Sequence, residues 1–273
     1  MTLQICALNS GSNGNCYYIG NSQNAVLVDA GLSCRETEIR MKQVGLSMKL
    51  VKGIFVSHEH TDHIKGVSTI ANKYNIPVFI SEETAKQGPR LIRPISTSIY
   101  DTEIITIGNL SITPFRKYHD AVDPFSFIVS YNDITVGVFT DIGKVCDKLK
   151  HYFSLCHAVF LESNYDEKML AEGGYPEYLK NRIRGGDGHL SNTEAVNLFE
   201  KHRSPQLTHC ILAHLSKENN HPAIVESLFQ AKANNIFIKA ASRYEPSEIF
   251  TISNSMINKS STNDAGVQQM KLF

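Results

Sequence analysis

Six consecutive residues, His58-Glu59-His60-Thr61-Asp62-His63, bring three imidazoles and two carboxylates into one short string. Borderline divalent metals such as zinc favour neutral imidazole, with carboxylate as a further ligand. His58 and His60 are two residues apart, so in an extended segment their side chains leave on one side. Asp62 and His63 follow, where a turn can aim them at a neighbouring point. The spacing therefore suits two metal ions. A solvated loop that is rich in histidine by chance is the bland alternative, and the full string placed after a buried strand argues against it.

The elements that must position this string are readable on either side of it. Ile54-Phe55-Val56-Ser57 is short, apolar and partly β-branched, which predicts a buried strand. From Asp62 to Tyr74 the apolar residues Ile64, Val67, Ile70 and Ala71 recur at helical spacing. The string thus lies in a strand-to-helix turn at the carboxyl end of a strand, where open α/β sheets place their ligands.

The composition sets the outer bounds. A chain of 273 residues, 42% hydrophobic and 20% charged, can bury a large core. Its formal net charge is zero, which excludes a strongly basic coat for nucleic acid but leaves room for a local basic stripe. The six cysteines are scattered without a C-x-x-C pair, as free thiols in a reducing compartment would be. No apolar run approaches the ~20 residues of a membrane-spanning helix. Met1-Thr2-Leu3-Gln4 lacks the basic start of a signal peptide. A cytoplasmic location without a membrane partner is the expectation.

Along the chain, short apolar runs alternate with helical patterns, and two such series fall on either side of about residue 130. Asn9 to Asn15 is a turn-rich loop that could cradle a phosphate, but with no Lys or Thr in P-loop register a hairpin turn is favoured. Ser33 with Glu36, and Ser191 with Glu194, have the capping-box pattern of a helix start. The predicted strand Cys210–Ala213 releases His214, a candidate ligand at the right end. Its rival His209 enters the same strand at the wrong end. Lys180, Arg182, Arg184, Arg90, Arg93, Arg116 and Lys117 could meet phosphates, but a solvated surface is the favoured reading. Residues 1–252 are expected to form one domain, with 253–273 a polar, poorly ordered tail.

The string His58–His63 resembles the H-x-H-x-D-H signature of the metallo-β-lactamase fold superfamily. The resemblance implies an α/β protein, an αββα sandwich of two βαβ-like halves with a metal site at one sheet edge. It implies that Asp29, after Val26-Leu27-Val28, braces the metal loop. It also gives His119 the slot that completes the first metal site, Asp141 the slot that bridges both metals, and His214 that of the last ligand. The metal set is then His58, His60, Asp62, His63, His119, Asp141 and His214, holding two divalent ions, with zinc, manganese or iron all suited to such donors.

Four further strings, Ser10–Cys16, Leu161–Asp166, Gly188–Asn192 and His214–Asn220, are similar to those of the YycJ (WalJ) group of bacterial metallo-hydrolases, related to the ribonuclease Z branch. That resemblance implies a 5′–3′ exonuclease on DNA. A metal-bound water has a pKa of about 7, so hydroxide is available to attack phosphorus, with Asp62 orienting it or taking its proton. The ribonuclease Z likeness implies that His189 protonates the leaving oxygen or contacts the phosphate, held by Glu162. A small-molecule thioester or lactone hydrolase of the same fold is the alternative, and the string His119-Asp120-Ala121 speaks against its glyoxalase-like form. A metal-stabilised binding module is a third reading. Oligomeric state is not written in these residues.

Overall fold

The computed structural model describes residues 1–89, 92 and 95–254. The first sheet contains β1 (Thr2–Asn9), β2 (Cys16–Gly20), β3 (Ala25–Val28), β4 (Val51–Phe55), β5 (Val78–Ile80), β6 (Ser96–Ser98) and β14 (Phe250–Ser253). The second contains β7 (Ile105–Ile107), β8 (Leu110–Arg116), β9 (Phe125–Tyr131), β10 (Ile134–Phe139), β11 (Ala158–Glu162), β12 (His209–Ala213) and β13 (Phe237–Ala240). Their spatial orders are β14-β1-β2-β3-β4-β5-β6 and β7-β8-β9-β10-β11-β12-β13. Both follow one scheme. Antiparallel pairing holds up to the β2–β3 and β9–β10 steps, and parallel pairing beyond them.

The two sheets pack face to face because alternate residues of each strand point inward. Leu3, Ile5 and Ala7 of β1 join the central core, while Cys6 and Leu8 join an outer one. Ala158 and Phe160 of β11 point inward, and Val159 and Leu161 outward. Strands covered on both faces read as continuous apolar runs, as these do. Aromatic contacts knit the layers: Phe55 stacks on Phe79 at 4.6 Å and meets Phe127 of the other sheet edge-on at 5.7 Å. On the outside, α1 (Cys34–Gln43), α3 (Val67–Tyr74) and α4 (Glu82–Gln87) cover the first sheet. α5 (Asp147–Phe153), α8 (Asn192–His202) and α9 (Pro222–Gln230) cover the second. The architecture is the expected αββα sandwich.

Several expectations need correction. The halves divide between β6 and β7, near residue 100 rather than 130, because the hairpin β7–β8 pairs onward with β9. The strand β14 returns to the first sheet beside β1, so Ser253 is paired with Thr2. From residue 255 the expected tail lies outside the described residues, as do Arg90 and Arg93. The helix read over Asp62–Tyr74 is two pieces, α2 (Thr61–Ile64) and α3. The break falls at Gly66, whose N–H donates to Ala30 O at 2.8 Å and whose Cβ, if present, would lie 1.9 Å from Leu32 O. Ser191 and Glu194 do form a full capping box at α8.

Arg40 of α1 ties the carboxyl end of β1 to the segment before β14. Its buried guanidinium donates to Leu8 O at 3.0 Å, Asn9 Oδ1 at 2.5 Å and Tyr244 O at 2.9 Å, and pairs with Glu36 at 2.7 Å. Arg40→Ala leaves these buried acceptors without a donor, so it is expected to cost about 3–5 kcal/mol. A urea titration with an unchanged slope and a lower midpoint would register it.

Candidate metal centre

All the site residues expected from the sequence except His189, which lies in the loop before α8, leave the carboxyl end of a strand. Asp29 follows β3, His58 to His63 follow β4, His119 follows β8, Asp141 follows β10, Glu162 ends β11 and His214 follows β12. Asp29, Asp141 and His214 hold left-handed backbone, with φ of 60°, 53° and 53°. Non-glycine residues adopt such turns at a cost of roughly 1–3 kcal/mol each, and such turns collect at functional sites. Here they swing the chain sharply off the strand so that side chains converge between the sheets.

Asp29 is the brace. Its Oδ1 accepts from Ser57 N at 2.8 Å, and its Oδ2 accepts from Ser57 Oγ at 2.8 Å and from His63 Nδ1 at 2.7 Å. The Ser57 hydroxyl gives its proton to Asp29, so its lone pair faces His58 Nδ1 at 2.8 Å. Both imidazoles are thereby held with Nδ1 protonated and Nε2 turned inward. His119 is set likewise, its Nδ1 donating to Gly188 O at 2.9 Å. Such outer hydrogen bonds fix the tautomer and orientation of metal-binding histidines.

The inward nitrogens crowd together. His58 Nε2 lies 3.0 Å from His60 Nδ1, which lies 3.4 Å from His119 Nε2. On the other side, His63 Nε2 lies 3.4 Å from Asp62 Oδ2 and 3.2 Å from Asp141 Oδ2. His214 Nε2 lies 3.6 Å from Asp62 Oδ2 and 3.5 Å from Asp141 Oδ1. Asp141 touches both groups, being 3.9 Å from His119 Nε2 as well. Its Oδ2 and His214 Nε2 are buried and make no hydrogen bond. Buried polar atoms are normally satisfied, and two orphans among clustered imidazole nitrogens and carboxylates fit a cation. Two ligand groups that could hold one, His58-His60-His119 and Asp62-His63-His214, flank Asp141.

The electrostatics agree. Burial alone would raise the Asp141 carboxyl, but the imidazoles of His214, His63, His119 and His58 hold it well below the usual range. Asp62 is likewise kept low against burial by His63 and His214. Burial drives His119 down to about 3 and lowers His58 and His60. Against burial, Asp141, Asp62 and Glu162 push His214 up to about 10. Against burial, Asp141, Asp29 and Asp62 push His63 up as well. The metal-free centre thus holds ionised carboxylates, uncharged imidazoles at His58, His60 and His119, and protonated ones at His63 and His214 whose protons a divalent cation would displace.

Glu162 joins the second group to the pocket wall. Its Oε2 accepts from Ile142 N at 2.7 Å and Leu190 N at 3.2 Å, and its Oε1 accepts from His189 Nδ1 at 2.8 Å and His214 Nδ1 at 3.2 Å. Burial opposes ionisation here, yet His189 and His214 bring the carboxyl to about 2. His189 keeps a fifth of its side chain exposed and lines a cavity of about 280 Å³ with His60, Asp62, Asp141 and His214. Glu162 and His189 are therefore paired, as the ribonuclease Z likeness implies. His209, the rival to His214, sits at the opposite end of β12 against Phe237 and Phe250.

Reading the chain residue by residue missed Asn15. Its N–H donates to Asp62 O at 2.6 Å and its Nδ2 lies 3.1 Å from Asp62 Oδ2 and 3.0 Å from His63 Nε2. Gly31 makes room for that contact, since a Cβ there would lie 1.7 Å from Asp62 O. The loop taken as a plain hairpin turn thus props the ligand string. Lys117 and Lys180 are not solvated: Lys117 Nζ donates to Thr140 O at 2.6 Å and Lys180 Nζ to Ala171 O at 2.7 Å, both from buried side chains. Arg116, Arg182 and Arg184 are exposed and pair with Asp123, Asp120 and Glu177.

Comparison with known proteins bears on what this geometry belongs to. Residues 10–150 match the model of the metallo-β-lactamase superfamily. The chain is 38% identical over 224 residues to the exodeoxyribonuclease YycJ of Bacillus anthracis, covering 81% of this chain and 85% of the relative. It is 32% identical over 235 residues to the exodeoxyribonuclease WalJ of Streptococcus pneumoniae, covering 82% and 87%. Among solved structures, the metallo-β-lactamase fold protein YhfI of Bacillus subtilis superposes with a TM-score of 0.70 at 12% identity, covering 92% of this chain and 100% of that one. With its signature string at the end of β4 and relatives alike over most of its length, this chain belongs to the metallo-β-lactamase superfamily.

Proposed function

We propose that this metallo-hydrolase is a phosphodiesterase that shortens DNA from the 5′ end with two divalent ions. The observation that carries the reading is the pair of ligand groups sharing Asp141, in a chain alike over four-fifths of its length to proteins named exodeoxyribonucleases. His58, His60 and His119 with Asp141 would hold one ion, and Asp62, His63 and His214 with Asp141 the other. When bound, such ions polarise phosphoryl oxygens and make water acidic enough to yield a nucleophile near neutral pH. Zinc, manganese and iron all suit the donors, and availability selects among them.

The residues then divide the work. Asp62, a fifth exposed at the cavity floor, orients the attacking water and takes its proton. Glu162, ionised and fully buried, accepts a hydrogen bond from His189 Nδ1–H and supports positive charge on that ring. The Nε2 proton then goes to the leaving oxygen. Asn164 Nδ2 donates to His214 O at 2.7 Å and keeps the turn after β12 in place.

Metal removal tests the ligand assignment. Cations that bind only the folded state stabilise it by about 2.7 kcal/mol at a hundredfold excess over Kd. For a chain of this size that corresponds to a melting point lower by about 5–10 °C after chelation. Scanning fluorimetry with stepwise return of zinc or manganese should restore it. The reaction class is tested by giving the metal-loaded protein DNA, RNA and a hydroxyacyl thioester in parallel. DNA turnover lost in Asp62→Ala supports the reading. Thioester turnover with intact DNA would replace it with the small-molecule alternative.

A further inference from the structure

The cavity over the metal centre continues in two directions of unlike character. Toward one end it shares His60, His119, Asp120 and Arg182 with a shallow basin also lined by Glu59 and Asp187. Arg182 is tied to Asp120 at 2.6 Å, which leaves that end acidic. Toward the other end it shares Leu215 and Ser216 with a groove of about 670 Å³ that carries Lys217, Lys239, Arg243 and Tyr244. Glu226 and Glu245 also line this groove, and Glu226 is occupied by Lys239 at 3.6 Å and by Ala240 N at 2.8 Å. Lys217 lies 3.6 Å from Glu218, a loose exposed pair that a phosphate can displace.

The Arg243–Tyr244 segment is held firmly. Asn13 Nδ2 donates to Arg243 O at 2.7 Å, Arg40 donates to Tyr244 O at 2.9 Å, and the Arg243 guanidinium donates to Leu215 O at 2.8 Å. On this pinned backbone the Tyr244 side chain stands 71% exposed. An exposed tyrosine beside cations, on rigid backbone next to a phosphodiester site, is the arrangement that holds single strands: the ring stacks on an unpaired base while cations follow the phosphates.

We propose that the substrate strand runs from the metal centre into the Leu215–Tyr244 groove as single-stranded DNA. Arg243 and Lys217 contact its phosphates and Tyr244 stacks on a base. The acidic basin repels a continuing polyanion, so the trough takes a strand from one side. This rests on the reading of the chain as a DNA phosphodiesterase and adds the surface that positions the strand.

The test compares oligothymidylates of two and six nucleotides as substrates of the metal-loaded protein over a range of salt. Variants are Lys217→Ala/Tyr244→Ala, both on exposed side chains, and Arg243→Gln. The native protein should prefer the longer strand in kcat/KM by about tenfold or more, the scale of one stacked base. In the double variant that preference should collapse toward one. The slope of log KM against log salt should fall by about 0.7 for each cation removed. Native length preference and salt slope retained in both variants would overturn the inference while leaving the DNA reading intact. Native protein that turns over a thioester and neither oligonucleotide would overturn both.

Discussion

Asp141→Ala protein is expected to lose about 10²–10³-fold or more in kcat on DNA, the scale seen when one preorganised electrostatic partner is removed. The reason is position. Asp141 lies within 3.9 Å of His119, His63 and His214, so among the carboxylates of the described residues it alone touches both ligand groups. A carboxylate offers two oxygens and can serve two cations at once. Asp141 Oδ2 and His214 Nε2 are buried and have no hydrogen-bond partner among the described residues, which fits atoms that ligate a cation. Removing it also leaves His63 and His214 without their strongest counter-charge. Elemental analysis of purified protein should therefore show metal falling from two ions per chain toward one or none. Full metal content with native turnover would show that the bridge is misassigned.

His189→Ala is expected to reduce kcat on DNA by about 10²–10⁴-fold, the range for a positioned general acid. The measurement that separates this from a packing role is the leaving group. A nucleoside alkoxide must be protonated as it departs, whereas p-nitrophenolate leaves without a proton. On bis(p-nitrophenyl) phosphate the same variant should lose less than about tenfold. Glu162→Gln should follow the same pattern with a smaller effect, about 10–100-fold, because the ring keeps a neighbour but loses the charge that supports its imidazolium. Equal losses on both substrates would make His189 a structural residue.

How far this centre was legible in the sequence follows from how its parts are spaced. His58, His60, Asp62 and His63 lie in one string, and the strand before it gives their direction. His214 was separable from His209 by which end of the strand it leaves, and the structure places the two at opposite ends of β12. His119 and Asp141 were located by likeness to a family, since isolated residues at strand ends carry no periodic signal. The two sheets were legible as buried runs, but their boundary was not: the pairing of β7–β8 with β9 is a long-range choice that local pattern does not reveal. Asn15 escaped because its contact with Asp62 spans 47 residues and depends on the missing side chain of Gly31. Lys117 and Lys180 escaped because a lysine whose stem is covered and whose ammonium finds a carbonyl has the same letter as a solvated one.

The central claim is a metal-dependent attack on DNA that begins at the 5′ end. It is tested most directly by a time course on duplex DNA labelled separately at each end, with and without added manganese or zinc, beside Asp62→Ala protein. The 5′ label should leave immediately as mononucleotide or short product and the 3′-labelled strand should shorten stepwise, with neither seen in the variant or without metal. Intact DNA with two ions bound per chain, or first release of the 3′ label, would contradict it.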